Sequence, residues 1–195
     1  MHLKECNLCT EVRSHLNILK EKHPEYHCMP VSGSGNLNSR ICLIGLAPGL
    51  HGANKTGIPF TSDFSGNVIR KILKELEIED IFITNTVRCY PEKNKPNANA
   101  LNNCQKHNLV EINKLTNIKI IITLGAVAYR QILKLYNIYG NSNKFEHGRI
   151  IKLNKKISLI SSYHCSKLNF NTHKVTYDML KTIFIKAKKA AENGR

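Results

Sequence analysis

Gly45-Leu46-Ala47-Pro48-Gly49-Leu50-His51-Gly52-Ala53-Asn54-Lys55-Thr56-Gly57-Ile58-Pro59-Phe60-Thr61-Ser62-Asp63-Phe64-Ser65-Gly66 is the stretch on which the reading of this chain turns. It follows Ile41-Cys42-Leu43-Ile44, a short apolar and partly β-branched run of the kind that forms a buried strand. Five glycines and two prolines within the stretch predict a loop. Helical periodicity then returns at Val68, Ile69, Ile72, Leu73 and Leu76. Strand, glycine-rich loop and helix in that order put the loop at the carboxyl end of a strand, where open α/β sheets bind ligands. Glycine permits close backbone approach, so such a loop can wrap a flat ligand with main-chain N–H groups. Neither the dinucleotide-binding nor the P-loop spacing is present. On this stretch alone, a phosphate-binding turn of a Rossmann-like domain stays open.

Outward from the loop, the pattern repeats. Strands are predicted over residues 81–84, 118–123 and 157–160, and helices over about 100–115, 126–136 and 176–191. Val12, Leu16 and Leu19 predict an amphipathic helix near the N-terminus, closed by Pro24. Residues 137–156, with Asn137, Gly140, Asn141, Ser142 and Gly148, read as a loop with one extended segment around Ile150. The economical architecture is a single α/β domain over residues 1–195, three-layered α/β/α around a central, mainly parallel four-stranded sheet. Residues 1–30 are its N-terminal segment. The polar segments 45–66, 85–97 and 164–166 all follow strands, so they should gather at one edge of that sheet.

The chain has 195 residues, with 29 Lys and Arg against 14 Asp and Glu, a net charge of +15. Such a surplus points to a polyanion, most often nucleic acid. The alternative is a Lys-, Asn- and Ile-rich composition whose lysines are solvated surface. No apolar run approaches the ~20 residues that span a bilayer. The first residues lack the apolar segment of a secretory signal, so an intracellular, cytoplasmic protein is expected. Seven cysteines in such a chain argue against a disulfide scaffold. Cys6 and Cys9 form a C-x2-C pair, while Cys89 and Cys104 lie far downstream. Four thiolates of this kind could hold zinc or an iron–sulfur cluster. A thiol redox protein is a weaker alternative, because Cys6 and Cys9 precede any strand.

Four separated motifs converge on one family. The form Gly-Leu-Ala-Pro-Gly-x-His-Gly-x-Asn-Lys-Thr-Gly-x-x-Phe-Thr-x-Asp-x-Ser-Gly is joined by Val87-Arg88-Cys89-x-Pro91-x-x-Asn94-Lys95-Pro96. His164-Cys165-Ser166 follows a strand, and the four cysteines complete the set. Together they resemble the type-5 branch of the uracil-DNA glycosylase superfamily. Leu46 agrees with that branch, since type-4 members carry glutamate there.

The resemblance implies the following roles. Gly45, Ala47, Gly49 and His51 would surround the base, Phe60 would stack on it, and Asn85 would read its edge. Asn94 and Asp63 would hold the attacking water, and His164 would donate a hydrogen bond to the uracil O2. Cys6, Cys9, Cys89 and Cys104 would carry a [4Fe–4S] cluster. Each has a plainer reading: a turn-forming asparagine, a core phenylalanine, a helix-capping aspartate, a structural histidine. Two departures stand out, Glu92-Lys93 for the commoner Pro-Gly and Cys165 for the motif proline. The expected activity is hydrolysis of uracil, and of other deaminated bases such as hypoxanthine, from DNA by a monomer, without a lyase step. The alternative is a non-catalytic iron–sulfur or zinc protein that binds nucleic acid.

Overall fold

The computed structural model of the protein describes residues 3–140 and 143–192. Four parallel strands form the centre of the sheet: β2 (Ile41–Gly45), β3 (Phe82–Asn85), β4 (Ile120–Leu124) and β6 (Ser158–Ser162). These are the four predicted strands, ending up to two residues later than expected. The shift matters, because it places Gly45 and Asn85 side by side as the last pair of the β2–β3 ladder. Among the described residues two short strands, β1 (Ser34–Gly35) and β5 (Ile150–Lys152), extend the sheet to six, in the order β1-β3-β2-β4-β6-β5. Both pair antiparallel on the two edges. The expectation of four strands is corrected in this respect. β1 has two residues and sits in what reads as a loop, so no periodicity could announce it.

The central strands are buried throughout because both faces are covered, and the polar residues Thr84, Asn85, Ser161 and Ser162 fall towards their carboxyl ends. On β2, Ile41 and Leu43 face one core with α3 (Phe64–Glu75) and α7 (Tyr177–Glu192); Cys42 and Ile44 face another. That second core is closed by α4 (Ala98–Asn113) and α5 (Ala126–Leu135), through Ile112, Tyr129 and Ile132. The three-layer arrangement is therefore as expected. From β2 the chain moves to β3 on one side and then returns to β4 on the other. This reversal opens a crevice at the carboxyl ends of the strands.

The N-terminal helix α1 (Thr10–Lys22) buries Leu16 and Leu19. The segment after it docks on α2 (Ala53–Thr56), a single turn within the glycine-rich loop that the sequence did not announce. His27 N–H donates to the Lys55 carbonyl at 2.9 Å and Cys28 N–H to the Asn54 carbonyl at 3.0 Å. A second unannounced turn, α6 (Lys167–Asn171), follows His164. Of the loop read over residues 137–156, Asn141 and Ser142 lie outside the described residues.

Candidate active site

A cavity of about 480 Å³ opens at the carboxyl ends of β2, β3 and β6. Asn85 and His164 reach it from the ends of β3 and β6, and the loop that follows β2 forms most of its wall. Ala47, Gly49, His51, Phe60, Asp63 and Asn94 line it as well, although Gly45 lies beneath the lining rather than in it. The structure thus brings every residue of the expected base site into one place.

Glycine at position 45 is a packing requirement. A β-carbon there would stand 2.4 Å from Asn85 Oδ1 and 2.6 Å from Phe60 Cζ. The buried amide and the aromatic ring therefore both close over the β2 terminus where a side chain would stand. Asn85 is 4% exposed, so its amide is presented from a fixed position. Its segment is clamped to the loop: Thr86 N–H donates to the Gly45 carbonyl at 2.9 Å, and Val87 N–H to the Leu46 carbonyl at 2.8 Å. Phe60 holds a left-handed backbone, φ 53°, an unusual conformation for a bulky residue. Arg70 stabilises it by donating through Nε to the Phe60 carbonyl and through Nη2 to the Pro59 carbonyl, both at 3.2 Å.

Asp63 fulfils its plainer reading and leaves one oxygen over. Its Oδ1 accepts from Gly66 N–H at 2.7 Å and caps α3. Its Oδ2 lies above Gly52, where a β-carbon would come within 2.1 Å, and above Gly49, where it would come within 2.8 Å. These two glycines seat the carboxylate in the wall of the cavity. Nothing in their spacing alone marked that role.

His164 is half-buried. Burial lowers its pKa, and the nearby Asp63 carboxylate opposes that by a smaller amount. The imidazole is therefore neutral near pH 7 and retains an N–H to donate. The loop behind it lacks the motif proline but is held in other ways. Asn169 Nδ2 donates to the His164 carbonyl at 2.8 Å, and Ser65 Oγ to the Cys165 carbonyl at 3.0 Å. The Cys165 thiol is buried, which pushes its pKa up to about 12. It acts as a small apolar filler there.

Asn94 is exposed at the cavity mouth, in a turn where Lys93 (φ 52°) and Asn94 (φ 57°) are both left-handed. Lys93 thus adopts the conformation that glycine in the commoner Pro-Gly would take freely. Lys167 and Ser166 line the opposite wall, and Leu168 beside them is 70% exposed.

Arg88 is the largest surprise. In the sequence it stands only as a member of the Val-Arg-Cys motif, yet it is a buried charge, 2% exposed. Its Nη1 pairs with Glu111 Oε2 at 2.7 Å and also bonds Thr84 Oγ1; its Nη2 donates to Asn108 Oδ1 at 2.7 Å. Asn108 Nδ2 donates onward to the Thr86 carbonyl at 2.9 Å, and Glu111 Oε1 accepts from Gly33 N–H at 2.8 Å. Thr84 lies close by on β3, but Glu111 and Asn108 come from α4 and Gly33 from the N-terminal side, too far along the chain for any local signal.

The four motif cysteines gather beside this network. Burial raises the pKa of the Cys89 thiol to about 12, with added repulsion from Cys104, Cys6 and Cys9. Burial likewise raises Cys104, although the Arg88 backbone amide donates to its sulfur. Cys6 Sγ lies 3.3 Å from His107 Nε2, and Asn103 Nδ2 donates to Cys9 Sγ at 3.4 Å. Among the described residues no group of three or more His, Cys, Asp or Glu side chains is arranged to hold a metal ion. The donor chemistry nevertheless suits a cluster. Four neighbouring sulfur donors, with the Cys89 and Cys104 thiols held protonated by burial, are a set that a multivalent cation or cluster would deprotonate and hold. All four are free of disulfides. No helix of the described residues is long and apolar enough to cross a membrane.

The comparisons with known proteins agree with this geometry. Residues 32–188 match the Uracil DNA glycosylase superfamily. A type-5 uracil-DNA glycosylase of Thermus thermophilus is 34% identical over 180 residues, covering 85% of this chain and 82% of that protein. One of Pyrobaculum aerophilum is 30% identical over 211 residues, covering 98% and 91%. A type-4 enzyme of Thermotoga maritima is 37% identical, but over 50% of this chain and 51% of that one. The chain belongs to the uracil-DNA glycosylase superfamily, and within it to the type-5 family.

Proposed function

We propose that the protein draws a uracil nucleotide out of DNA into the cavity and hydrolyses its N-glycosidic bond, leaving an abasic site. Hypoxanthine is a second substrate on this reading. The observation that carries it is the meeting of a buried amide, an aromatic face and a neutral imidazole in one cavity. Phe60 stacks on the extruded base. The Asn85 amide donates to the uracil O4 and accepts from N3–H. Hypoxanthine offers the same pair, a carbonyl oxygen beside a ring N–H. Leu168, exposed next to the lining residues Ser166 and Lys167, fills the space the nucleotide leaves.

As the C1′–N1 bond breaks, its electron pair passes to the base. His164 donates a hydrogen bond to O2, where the charge accumulates. Asn94 and Asp63 Oδ2 orient a water whose oxygen bonds to C1′ and whose proton is lost to Asp63 or solvent. Lys167, exposed at the same wall, is placed for a phosphate. The net charge of +15 supports DNA as the partner, and the protein acts as a monomer.

The test is incubation of the purified protein with a uracil-containing duplex and its thymine counterpart, followed by alkali. Strand cleavage of the uracil duplex alone, and only after alkali, supports the proposal. No cleavage leaves the protein a nucleic-acid binder, and breakage before alkali assigns a lyase step to Lys167. Cys6, Cys9, Cys89 and Cys104 would hold a [4Fe–4S] cluster, which pins the N-terminal segment to α4. Anaerobically purified protein should then contain about four iron atoms per chain and absorb broadly near ~400 nm. Cys104→Ser should lose the iron and Cys165→Ser should keep it. Stoichiometric zinc without iron would refute the assignment.

A further inference from the structure

We infer that Tyr26 is a positioning residue that holds His51 in a single tautomer, so that His51 presents an Nε2–H donor to a DNA phosphate at the rim of the cavity. The inference rests on the glycosylase reading only for the identity of the DNA; the tautomer rests on the Tyr26–His51 hydrogen bond and the relative donor strengths of its two groups. Tyr26 lies outside residues 32–188, the part that matches the superfamily, and belongs to the N-terminal segment docked on the glycine-rich loop.

The Tyr26 hydroxyl lies 2.8 Å from His51 Nδ1. A phenol is the stronger donor of that pair and a neutral imidazole nitrogen the stronger acceptor, so Nδ1 accepts and the ring proton resides on Nε2. Tyr26 is well fixed for the task. It is 7% exposed, stacks on His23 at 4.5 Å between centroids, and carries Lys55 Nζ over its ring at 5.4 Å. Its backbone carbonyl accepts from Lys20 Nζ. His51, by contrast, is exposed and lines the cavity. A donor at the exposed rim meets the sugar–phosphate chain, whereas the base sits deeper, between Asn85 and Phe60. Lys55 and Lys167, both exposed, make that rim positive, which suits an anion.

The test uses the full chain and needs no turnover. Two-bond ¹H–¹⁵N correlation spectra should show His51 as the Nε2–H tautomer, and Tyr26→Phe should convert it to a mixture. A dominant Nδ1–H tautomer in the unaltered protein overturns the inference. Binding is then measured to a duplex carrying a tetrahydrofuran abasic analogue. His51→Ala should weaken binding by ~10-fold, the scale of one hydrogen bond to a charged group, and Tyr26→Phe by ~3-fold. A neutral methylphosphonate at the flanking phosphate should cost the unaltered protein the same ~10-fold and cost His51→Ala little more. Equal sensitivity of both proteins to the methylphosphonate, or no binding to the analogue, overturns the phosphate assignment. A protein that meets these expectations yet spares uracil would disprove the glycosylase reading and leave this inference standing.

Discussion

Two polar regions lie one residue apart in the chain and obey opposite rules. In the cavity, Asn85, His164 and Asp63 Oδ2 face open space, and their positions are set by backbone bonds and by glycines that leave room for them. Behind it, Arg88 is sealed and Glu111 mostly covered, and the two are paired with each other and with Thr84, Asn108 and Gly33. The difference is between polarity spent within the protein and polarity kept for a ligand. A buried charge costs several kcal/mol unless paired, so the Arg88 and Glu111 charges are paired with each other, although Arg88 Nε is left without a hydrogen-bond partner. A site for a base must stay incomplete until the base arrives.

This comparison breaks most visibly at Arg88. Arg88→Met should destabilise the fold by about 3–5 kcal/mol, because Glu111 keeps a charge without its partner. Denaturant unfolding measures it, and Arg88→Met with Glu111→Leu should recover much of the loss. A stability loss under 1 kcal/mol for the single variant would mean that water reaches Glu111.

His164→Ala should do the reverse, leaving stability nearly unchanged while slowing single-turnover excision of uracil by ~10²–10³, about 3–4 kcal/mol of barrier. Asp63→Ala should slow it less, because water meets a cation already largely formed. If Asp63→Ala proves the more damaging and His164→Ala nearly silent, general-base hydrolysis replaces departure of the base as the leading event.

Asp63→Asn sharpens the electrostatic side. Burial depresses the His164 pKa and the Asp63 charge partly restores it, so the neutralised variant should titrate at still lower pH. The sign follows from linkage. A histidine with a depressed folded pKa contributes stability that is full above its unfolded value, ~6.5, and is lost as pH falls through the folded pKa. Imidazole chemical shifts followed from pH 7 downward decide it; a shift of His164 to higher pH would contradict the assigned cause. The amide in place of the carboxylate weakens the α3 cap as well, by at most about 1 kcal/mol.

The smallest effect belongs to the loop. Lys93→Gly removes a left-handed non-glycine residue, a strain of about 1 kcal/mol, offset in part by the greater chain entropy of glycine. A net gain of roughly 0.5 kcal/mol in thermal unfolding is expected, with excision rates within about twofold of the parent.

How much of this was legible beforehand follows from the physics of each element. The four parallel strands were readable because burial on both faces demands continuous apolar runs, and Ile41–Ile44 and Ile120–Ile122 are such runs. The short strands β1 and β5 could not be read with the same security, since pairing on a sheet edge asks little of the side chains. The gathering of the polar segments was legible from order alone: each follows a parallel strand, so all share one end of the sheet. Strand ends were misplaced by a residue or two because tertiary pairing, not composition, decides where a ladder stops.

The sequence by itself determined the fold class and the edge of the sheet that carries the site, because periodicity and strand order are local properties of the chain; the residues expected at the site came from the resemblance of its motifs to a known family. Only the tertiary structure decided which charges are hidden. Arg88 and the lysines are alike in composition, yet Arg88 meets Glu111 and Asn108 from a helix that begins ten residues later and is lost to solvent. In the same way, Tyr26 became a neighbour of His51 only when the N-terminal segment docked on α2. Burial and pairing depend on which distant segments meet, and no window of sequence contains both partners.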